Sequence, residues 1–318
     1  MSRFDCLSFG SSAFDVLMSV DRPPRSDERV SAHAVTSGGG GPASTAATAM
    51  ARLGFKVGLI TAVGEDVFGT LMLEEFARFG VDTSGTQRVA GSSTISSVLI
   101  ERETAKRSMT VYGGCVNRID IGAIDVGRIR NAKVVHLDGN NPALAIHIAR
   151  AAKSFGIPVS LDGGNMSAEA IAEVLPHIDI YIPDEQSMHK QLGEDVSVDD
   201  ACRLYRERGP GLVCITRAES GSIAYDGKEF RAQPAYRGAP VADTTGAGDN
   251  FHGAFLAAWL DGLDIDATLK FANVYAALCC RGIGGRTSSP DREETLAHLA
   301  SFPGAEPIST SSISESKP

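Results

Sequence analysis

The feature that most constrains this fold is a regular alternation of short apolar runs with longer segments of helical period. Such alternation predicts βαβ units and therefore an α/β fold, with a doubly wound, mostly parallel sheet and helices on both faces. The predicted strands are Lys56–Val63, Ala132–Leu137, Ile157–Leu161, Ile178–Ile182 and Leu212–Thr216. The predicted helices are Pro42–Leu53, Phe68–Phe79, Ala143–Phe155 and Ala201–Arg208.

Two regions interrupt this alternation. Residues Asp15–Ala34 and Ser93–Tyr112 alternate polar and apolar side chains around charged turns, without an intervening helix. We expect them to pair into a small separate sheet that covers a ligand at the carboxyl ends of the parallel strands. The alternative is that they extend the edge of the main sheet.

The chain length and its polar end set the domain organisation. The chain has 318 residues, 43% of them hydrophobic, which suits one large compact domain over residues 1–308. Residues 309–318, with the sequence STSSISESKP, contain too few apolar side chains to offset their ordering entropy. We expect them to form a disordered tail.

The charge balance limits the classes of partner. The chain carries 30 basic and 39 acidic residues without a Lys/Arg cluster, which argues against nucleic-acid and anionic-membrane binding.

Its N-terminus lacks the apolar run of a signal peptide, and no stretch of about 18 apolar residues occurs. The six cysteines form no Cys-x-x-Cys pair and are expected to be buried small hydrophobes rather than disulfide or zinc ligands. A cytoplasmic location is predicted.

The segment from Val241 to Leu260 is the most informative one for chemistry, because it changes from a Gly-rich loop to an apolar helix. Gly246, Ala247 and Gly248 would leave backbone N–H groups uncovered at the first turn, where they attract an anion such as phosphate. Asp249 beside them could accept the proton of an attacking hydroxyl, as phosphoryl transfer requires. The alternative role for this carboxylate is to cap the helix.

A second glycine-rich segment contains Gly38–Gly41 followed by Pro42 and an Ala-rich helical run. These glycines permit close backbone approach, and Pro42 suits a first helical turn. The segment could contact a small polar ligand, or it could be only a tight helix entry.

Together these two segments resemble the paired signatures of the ribokinase-like, or PfkB, family of carbohydrate kinases. Further similarity lies in Gly64-Glu-Asp66, in Phe68-Gly69, in Gly80-Val81-Asp82 and in the turn Gly10–Asp15. The resemblance spans roughly residues 4–300. It implies a ribokinase-like kinase that uses ATP and Mg²⁺ to phosphorylate a small sugar, and it favours a homodimer.

The resemblance also implies roles for individual residues. Asp249 would deprotonate the acceptor hydroxyl, and the amides of Gly246, Ala247 and Gly248 would form the anion hole. Sugar contacts would come from Asp15, Gly40, Gly41 and Thr45. Nucleotide contacts would come from Thr216, Gly221 and Asn273. A monovalent-cation site, with K⁺ as a candidate, would use Asp243, the Thr245 carbonyl and Ser288.

Three positions depart from the family pattern. Ser44 or Thr45 stands where the first signature usually has Asn. The Asn-x-x-Glu motif associated with magnesium is Asp184-Glu-Gln-Ser187 here, which leaves Asp184 and Glu185 as candidates for a water-mediated Mg²⁺ contact. Ala218 replaces a frequent glycine of the nucleotide turn. These departures resemble the ketohexokinase-like and sulfofructose-kinase-like branches and leave the substrate open.

Two further side chains have alternative roles. Arg107, in the second lid region, could bind an anionic substituent such as phosphate or sulfonate, or it could be a solvated charge. His252 could face the active site or pack inside the molecule.

Other functional classes fit the sequence less well than a kinase does. No Gly-x-x-x-x-Gly-Lys-Ser/Thr motif occurs, which excludes a P-loop kinase. An NAD-dependent dehydrogenase would need a Gly-x-Gly-x-x-Gly turn near Gly10, where the chain has Gly-Ser-Ser-Ala. A catalytically silent sugar or nucleoside sensor of the same fold stays open at this point.

Overall fold

The fold is taken from a computed structural model, which describes residues 3–302. Its β-strands in that range are β1 (Phe4–Phe9), β2 (Ala13–Val20), β3 (Ala34–Gly40), β4 (Val57–Ile60), β5 (Ala62–Gly64), β6 (Gln87–Val89), β7 (Ile95–Glu101), β8 (Arg107–Tyr112), β9 (Ala132–Leu137), β10 (Val159–Leu161), β11 (Ile180–Tyr181), β12 (Leu212–Thr216), β13 (Ser222–Tyr225) and β14 (Phe230–Gln233). Its α-helices are α1 (Pro42–Arg52), α2 (Val67–Arg78), α3 (Pro142–Ser154), α4 (Ala168–Val174), α5 (Glu185–Leu192), α6 (Val198–Glu207), α7 (Ala247–Leu260), α8 (Ile265–Cys279) and α9 (Arg292–Leu299).

The main sheet has the strand order β14-β13-β12-β11-β10-β9-β1-β4. Neighbouring strands pair in parallel from β12 through β11, β10, β9 and β1 to β4. Strands β13 and β14 continue the sheet beyond β12 in antiparallel pairing. One hydrophobic core, with α1, α7 and α8, covers one face, and a second core, with α3, α4 and α6, covers the other. The predicted doubly wound α/β fold is confirmed.

The predicted strand over Lys56–Val63 is two strands in different sheets. β4 belongs to the main sheet, whereas β5 pairs with β6 in a separate two-stranded sheet. Between them, the carbonyl of Thr61 accepts a hydrogen bond from the amide of Gln87, at 2.9 Å, and so starts the second pairing. The sequence Lys56–Val63 is largely apolar because both β4 and β5 are buried. Its apolar pattern therefore does not show that the two strands pair with different partners.

The lid regions form the predicted separate sheet, with the order β3-β2-β7-β8. They do not extend the edge of the main sheet. In the lid sheet, β2 and β3 differ in extent from the prediction. Residues 21–33 connect them without strand structure, and β3 continues to Gly40. Pro23 and Pro24 in this connection cannot donate ladder hydrogen bonds, which accounts for the interruption.

The predicted tail, residues 309–318, lies outside the described residues. Between residues 3 and 302, no helix is both long and apolar enough to cross a membrane. All six cysteines are buried with free thiols, as predicted.

Candidate active site

A cavity of about 400 Å³ lies between the lid and the carboxyl ends of the central strands. The predicted residues that line it are Asp15, Gly40, Gly41, Thr45, Arg107, Thr245, Gly246 and Asp249. Its other polar lining comes mainly from Ser11, Ser12, Thr94, Ser96, Asn140 and Asn165. The fold therefore brings the two glycine-rich segments, over 200 residues apart in sequence, to one cavity.

The start of α7 is built by a left-handed glycine. Gly246 is the N-cap, with φ 71° and ψ 7°, and no side chain caps the helix. The amide of Ala247 donates to the Thr244 carbonyl, at 3.2 Å, whereas the amides of Gly246 and Gly248 have no acceptor among the described residues. Two of the three predicted anion-hole amides thus remain available to a ligand.

Asp249 lies in the first turn of α7 and lines the cavity. Burial and the neighbouring Asp138 carboxylate raise its pKa from 3.8 to about 6, and the positive charges of Arg286 and Arg107 oppose that rise. This carboxylate is therefore a stronger base than a solvent-exposed aspartate, which suits general-base catalysis.

Asp15, on β2, projects from the lid into the same cavity and is 6% exposed. Burial raises its pKa, and a hydrogen bond from Ser96 and the charge of Arg286 lower it. A β-carbon at Gly40 would lie 2.1 Å from a carboxylate oxygen of Asp15. Glycine at this position is needed because the acidic side chain packs directly against the backbone.

Arg107 and His252 occupy different environments. Arg107 lines the cavity and donates to the hydroxyl of Thr244 at 3.2 Å. The His252 side chain is only 5% exposed and does not line the cavity. Its Nε2 lies 3.6 Å from the Asp162 carboxylate, its ring packs 5.4 Å from that of His136, and burial lowers its pKa to about 4. His252 is therefore an interior, neutral side chain.

The predicted nucleotide residues meet at another turn. Thr216 ends β12 and Gly221 precedes β13, so the two residues bracket the connection between these strands. The Asn273 amide donates to the Ser222 hydroxyl at 3.1 Å and to the carbonyls of Gln233 and Pro234. Ala218 within the turn has φ 46°, a left-handed conformation that explains why glycine is frequent at this position.

The predicted Mg²⁺ residues lie next to this turn. Asp184 forms an isolated bridge with Thr216, and its carboxylate accepts from the amide and the hydroxyl of Ser187. Glu185 pairs with Arg217 at 3.7 Å. No cluster of three His, Cys, Asp or Glu side chains suited to a metal occurs within residues 3–302. These donors fit Mg²⁺ only through water and nucleotide phosphates, a common mode for this ion.

The predicted monovalent-cation residues surround the loop before α7. Asp243 is 1% exposed, and its carboxylate accepts from the amide and the hydroxyl of Thr245 and from the amide of Gly284. The Ser288 hydroxyl lies against Gly282 in the facing loop. An anionic group buried this deeply is compatible with a nearby cation.

Sequence reasoning missed several residues of this site. Asp138 accepts from the amide and the hydroxyl of Ser11, at 2.7 and 2.6 Å, and Asn140 donates to the same hydroxyl. Their position directly after a predicted strand could have marked them, because ligands bind at carboxyl ends of parallel strands. Arg286 lies in an irregular loop and had no comparable signal.

A buried carboxylate of raised pKa, free amides at a helix start and a covering β-sheet are the arrangement expected of one class of protein, α/β enzymes that transfer a phosphoryl group. The family model described as pfkB family carbohydrate kinase matches residues 3–292. This chain belongs to the PfkB family of carbohydrate kinases.

Individual relatives agree with this membership. The chain is 30% identical to an ATP-dependent ribose-1-phosphate kinase of Halopiger xanaduensis, over 92% of this chain and 97% of that protein. The structure of Arabidopsis thaliana ribokinase with ribose and ATP aligns with a TM-score of 0.83 at 28% identity, over 94% of this chain and 99% of that one. A putative ribokinase from Agrobacterium tumefaciens aligns with a TM-score of 0.87 at 27% identity, over 95% and 99%.

Proposed function

We propose that this protein transfers the γ-phosphoryl group of ATP to a hydroxyl of a small sugar or sugar derivative, with Asp249 as the general base. The observation that carries this proposal is the position of Asp249 in the cavity wall, beside the free amides of Gly246 and Gly248. A base and an oxyanion cradle at one helix start are the two parts that phosphoryl transfer needs.

The residues divide the reaction between them. Asp249 removes the proton of the attacking hydroxyl, while the α7 amides and the positive end of the helix dipole stabilise charge on the transferred group. Asp15, Gly40, Gly41 and Thr45 orient the sugar. Mg²⁺, when bound with ATP near Asp184 and Glu185, neutralises phosphate charge. The lid above the cavity excludes water that would otherwise hydrolyse ATP.

The relatives support the class of substrate. Proteins named ribose-1-phosphate kinase, ribokinase and nucleoside kinase all align over more than nine-tenths of this chain. Arg107 in the cavity wall supports a substrate that carries an anionic group, because guanidinium groups bind phosphate and sulfonate well. We therefore place sugar phosphates and acidic sugars beside neutral pentoses among the substrates to test.

Three accessory assignments belong to the same proposal. Thr216, Gly221 and Asn273 shape the nucleotide turn, and Asp243, the Thr245 carbonyl and Ser288 hold a monovalent cation, for which K⁺ is the candidate. The exposed lid strand β8 supports a homodimer.

The decisive experiment is an ATP-consumption assay of the wild type and of Asp249→Asn over ketoses, pentoses, nucleosides, sugar phosphates and acidic sugars. We expect kcat to fall by about 10² or more while ATP affinity is kept, because only proton removal is lost. Asp195→Asn, an exposed carboxylate remote from the cavity, is the matched control. Near-normal turnover by D249N would remove Asp249 from its role. Sugar binding without turnover by the wild type would favour the silent sensor instead.

A further inference from the structure

One charged side chain is buried behind the wall of the sugar cavity. The Arg286 side chain, in the loop after α8, is only 3% exposed. Its Nε donates to the Thr45 hydroxyl at 3.2 Å, and its Nη2 donates to the Gly40 carbonyl at 2.8 Å and to the Ser44 hydroxyl at 2.6 Å. A single guanidinium thus joins the end of β3 to the first turn of α1.

The surroundings of Arg286 account for its burial. Its Nη1 lies 3.5 Å from the Glu75 carboxylate on α2, and its guanidinium carbon lies 5.3 Å from the centre of the Phe76 ring. A β-carbon at Gly39 would lie 2.0 Å from Nη1, so the glycine strand passes directly over the guanidinium. A buried charge costs stability unless it is paired and hydrogen-bonded, and Arg286 meets both conditions.

These contacts determine how two hydroxyls can act, because a hydroxyl has one donor and two acceptor sites. The Ser44 hydroxyl accepts from Arg286 and donates to the Gly40 carbonyl at 2.7 Å. The Thr45 hydroxyl also accepts from Arg286, but its own hydrogen has no acceptor within residues 3–302. Thr45 lines the sugar cavity. Its hydroxyl is therefore set up as a donor for a ligand.

We propose that Arg286 is a positioning residue for sugar specificity: it fixes the Thr45 hydroxyl as a hydrogen-bond donor that recognises an acceptor oxygen of the substrate. This inference rests on the proposed sugar-kinase function. It also gives a physical meaning to Thr45, one of the two positions where the family signature usually has asparagine, because the arginine-held hydroxyl offers the substrate one donor, whereas an asparagine amide would offer two donors and a carbonyl acceptor. A substrate without an oxygen at this place leaves the Thr45 hydrogen unsatisfied and is selected against.

Arg286 has a second effect on the same cavity through its charge. It lowers the pKa of Asp249 and of Asp15, in opposition to burial and to the other carboxylates that face Asp249. The charged groups acting on Asp249 are Asp138, Asp15, Asp162, Arg107 and Arg286. Loss of the Arg286 charge must therefore raise the pKa of Asp249, a readout that packing alone would not produce.

The test compares Thr45→Val, Arg286→Lys and the double variant with the wild type, using D-ribose first and then the panel sugar with the highest kcat/KM. We expect each single variant to raise the sugar KM about tenfold, as for one lost hydrogen bond, and to leave the ATP KM within about twofold. The double variant should be no worse than the poorer single one, because both remove the same interaction. Thr48→Val is the matched control, since Thr48 is buried one turn further along α1 and is not in the cavity wall.

An unchanged sugar KM in T45V, or effects that multiply in the double variant, would overturn the proposal. T45V nearly conserves side-chain shape, so it stays informative if R286K does not fold. The second readout is the titration of the Asp249 carboxyl by ¹³C NMR in Arg286→Gln, with D249N to assign the signal, and we expect its pKa to rise. If D249N abolishes turnover but T45V and R286K behave like the wild type, only this inference fails. If the wild type phosphorylates no sugar, the proposed function fails and this inference fails with it.

Discussion

At the scale of single residues, the site depends on carboxylates held in unfavourable surroundings. Asp249 and Asp15 both have raised pKa values because they are desolvated. Burial, and then the charge of Asp249, also raise the pKa of a third acid, Asp162. Such groups destabilise the folded state when they are ionised. The folded state is thus less stable at neutral pH than it would be with neutral side chains at these positions.

This cost predicts a pH-dependent stability of the Asp249→Asn variant. The folded state binds the Asp249 proton more tightly than the unfolded state, so this group lowers wild-type stability as pH rises from about 4 through about 6. Asparagine imitates the protonated form at every pH. We expect D249N to be more stable than the wild type by at most about 3 kcal/mol at pH 8, with the difference shrinking towards pH 4.

Urea unfolding of both proteins across this pH range measures the effect. Asp195→Asn, which changes an exposed carboxylate, should show no such trend. A D249N stability difference that is absent at pH 8, or that does not vary with pH, would contradict the assigned environment of Asp249.

At the scale of elements, the contact of α1 with α7 joins the two glycine-rich segments. Gly253 on α7 faces α1, and a β-carbon there would lie 2.5 Å from the Ala46 carbonyl oxygen and 2.7 Å from the Ala49 β-carbon. The Ala-rich face of α1 and this glycine allow the helices to approach closely. The start of α7, with Asp249, is thereby held against the start of α1, with Thr45.

This packing predicts the effect of Gly253→Ala. Alanine favours an isolated helix by about 1 kcal/mol, but the close contact with α1 should make the variant less stable by about 1–3 kcal/mol. Gly248→Ala on the same helix is the control, because a β-carbon there meets nothing within 4 Å and should not destabilise the fold. Urea unfolding at pH 7 compares the two variants. Equal stabilities would show that the interface relaxes without cost.

Element types were predictable from the sequence where periodicity was strong. The helices α1, α2 and α3 and the strands β9 and β12 lie close to their predicted bounds, because burial of one face or of both faces fixes the apolar pattern. The division of Lys56–Val63 into β4 and β5 was not predictable. It depends on which partner strand is available in space, and the local sequence does not record that.

At the scale of the whole molecule, the lid carries an uncovered surface. All six residues of the edge strand β8 are exposed: Met109 and Val111 line the mouth of the cavity, and Tyr112, which does not line it, exposes 61% of its surface. Exposed edge strands with apolar side chains are uncommon in monomers, because they invite pairing with another chain. A second copy of this chain is the partner proposed for this surface.

We predict that sedimentation gives a particle mass twice the 33.4 kDa mass of one chain. Tyr112→Glu, which changes a residue of β8 outside the cavity wall, should shift it towards the monomer, because burying an added charge at an interface is costly. Leu204→Glu, at an exposed apolar position on α6, should leave the dimer intact. Sedimentation-velocity measurements decide this, and a monomeric wild type at micromolar concentration would contradict the proposed dimer.

The sequence by itself determined the alternation of strands and helices, the two glycine-rich segments and the place of Asp249 in the first turn of a helix, because each is set by residues close together in the chain. Only the tertiary structure decided that His252 is an interior residue, that the amide of Ala247 is already bonded, and that Arg286 lies behind Thr45. The physical reason is that hydrogen-bond partners and desolvation depend on groups that approach from distant parts of the chain. Arg286 and Thr45 are 241 residues apart, and no local pattern specifies such a contact.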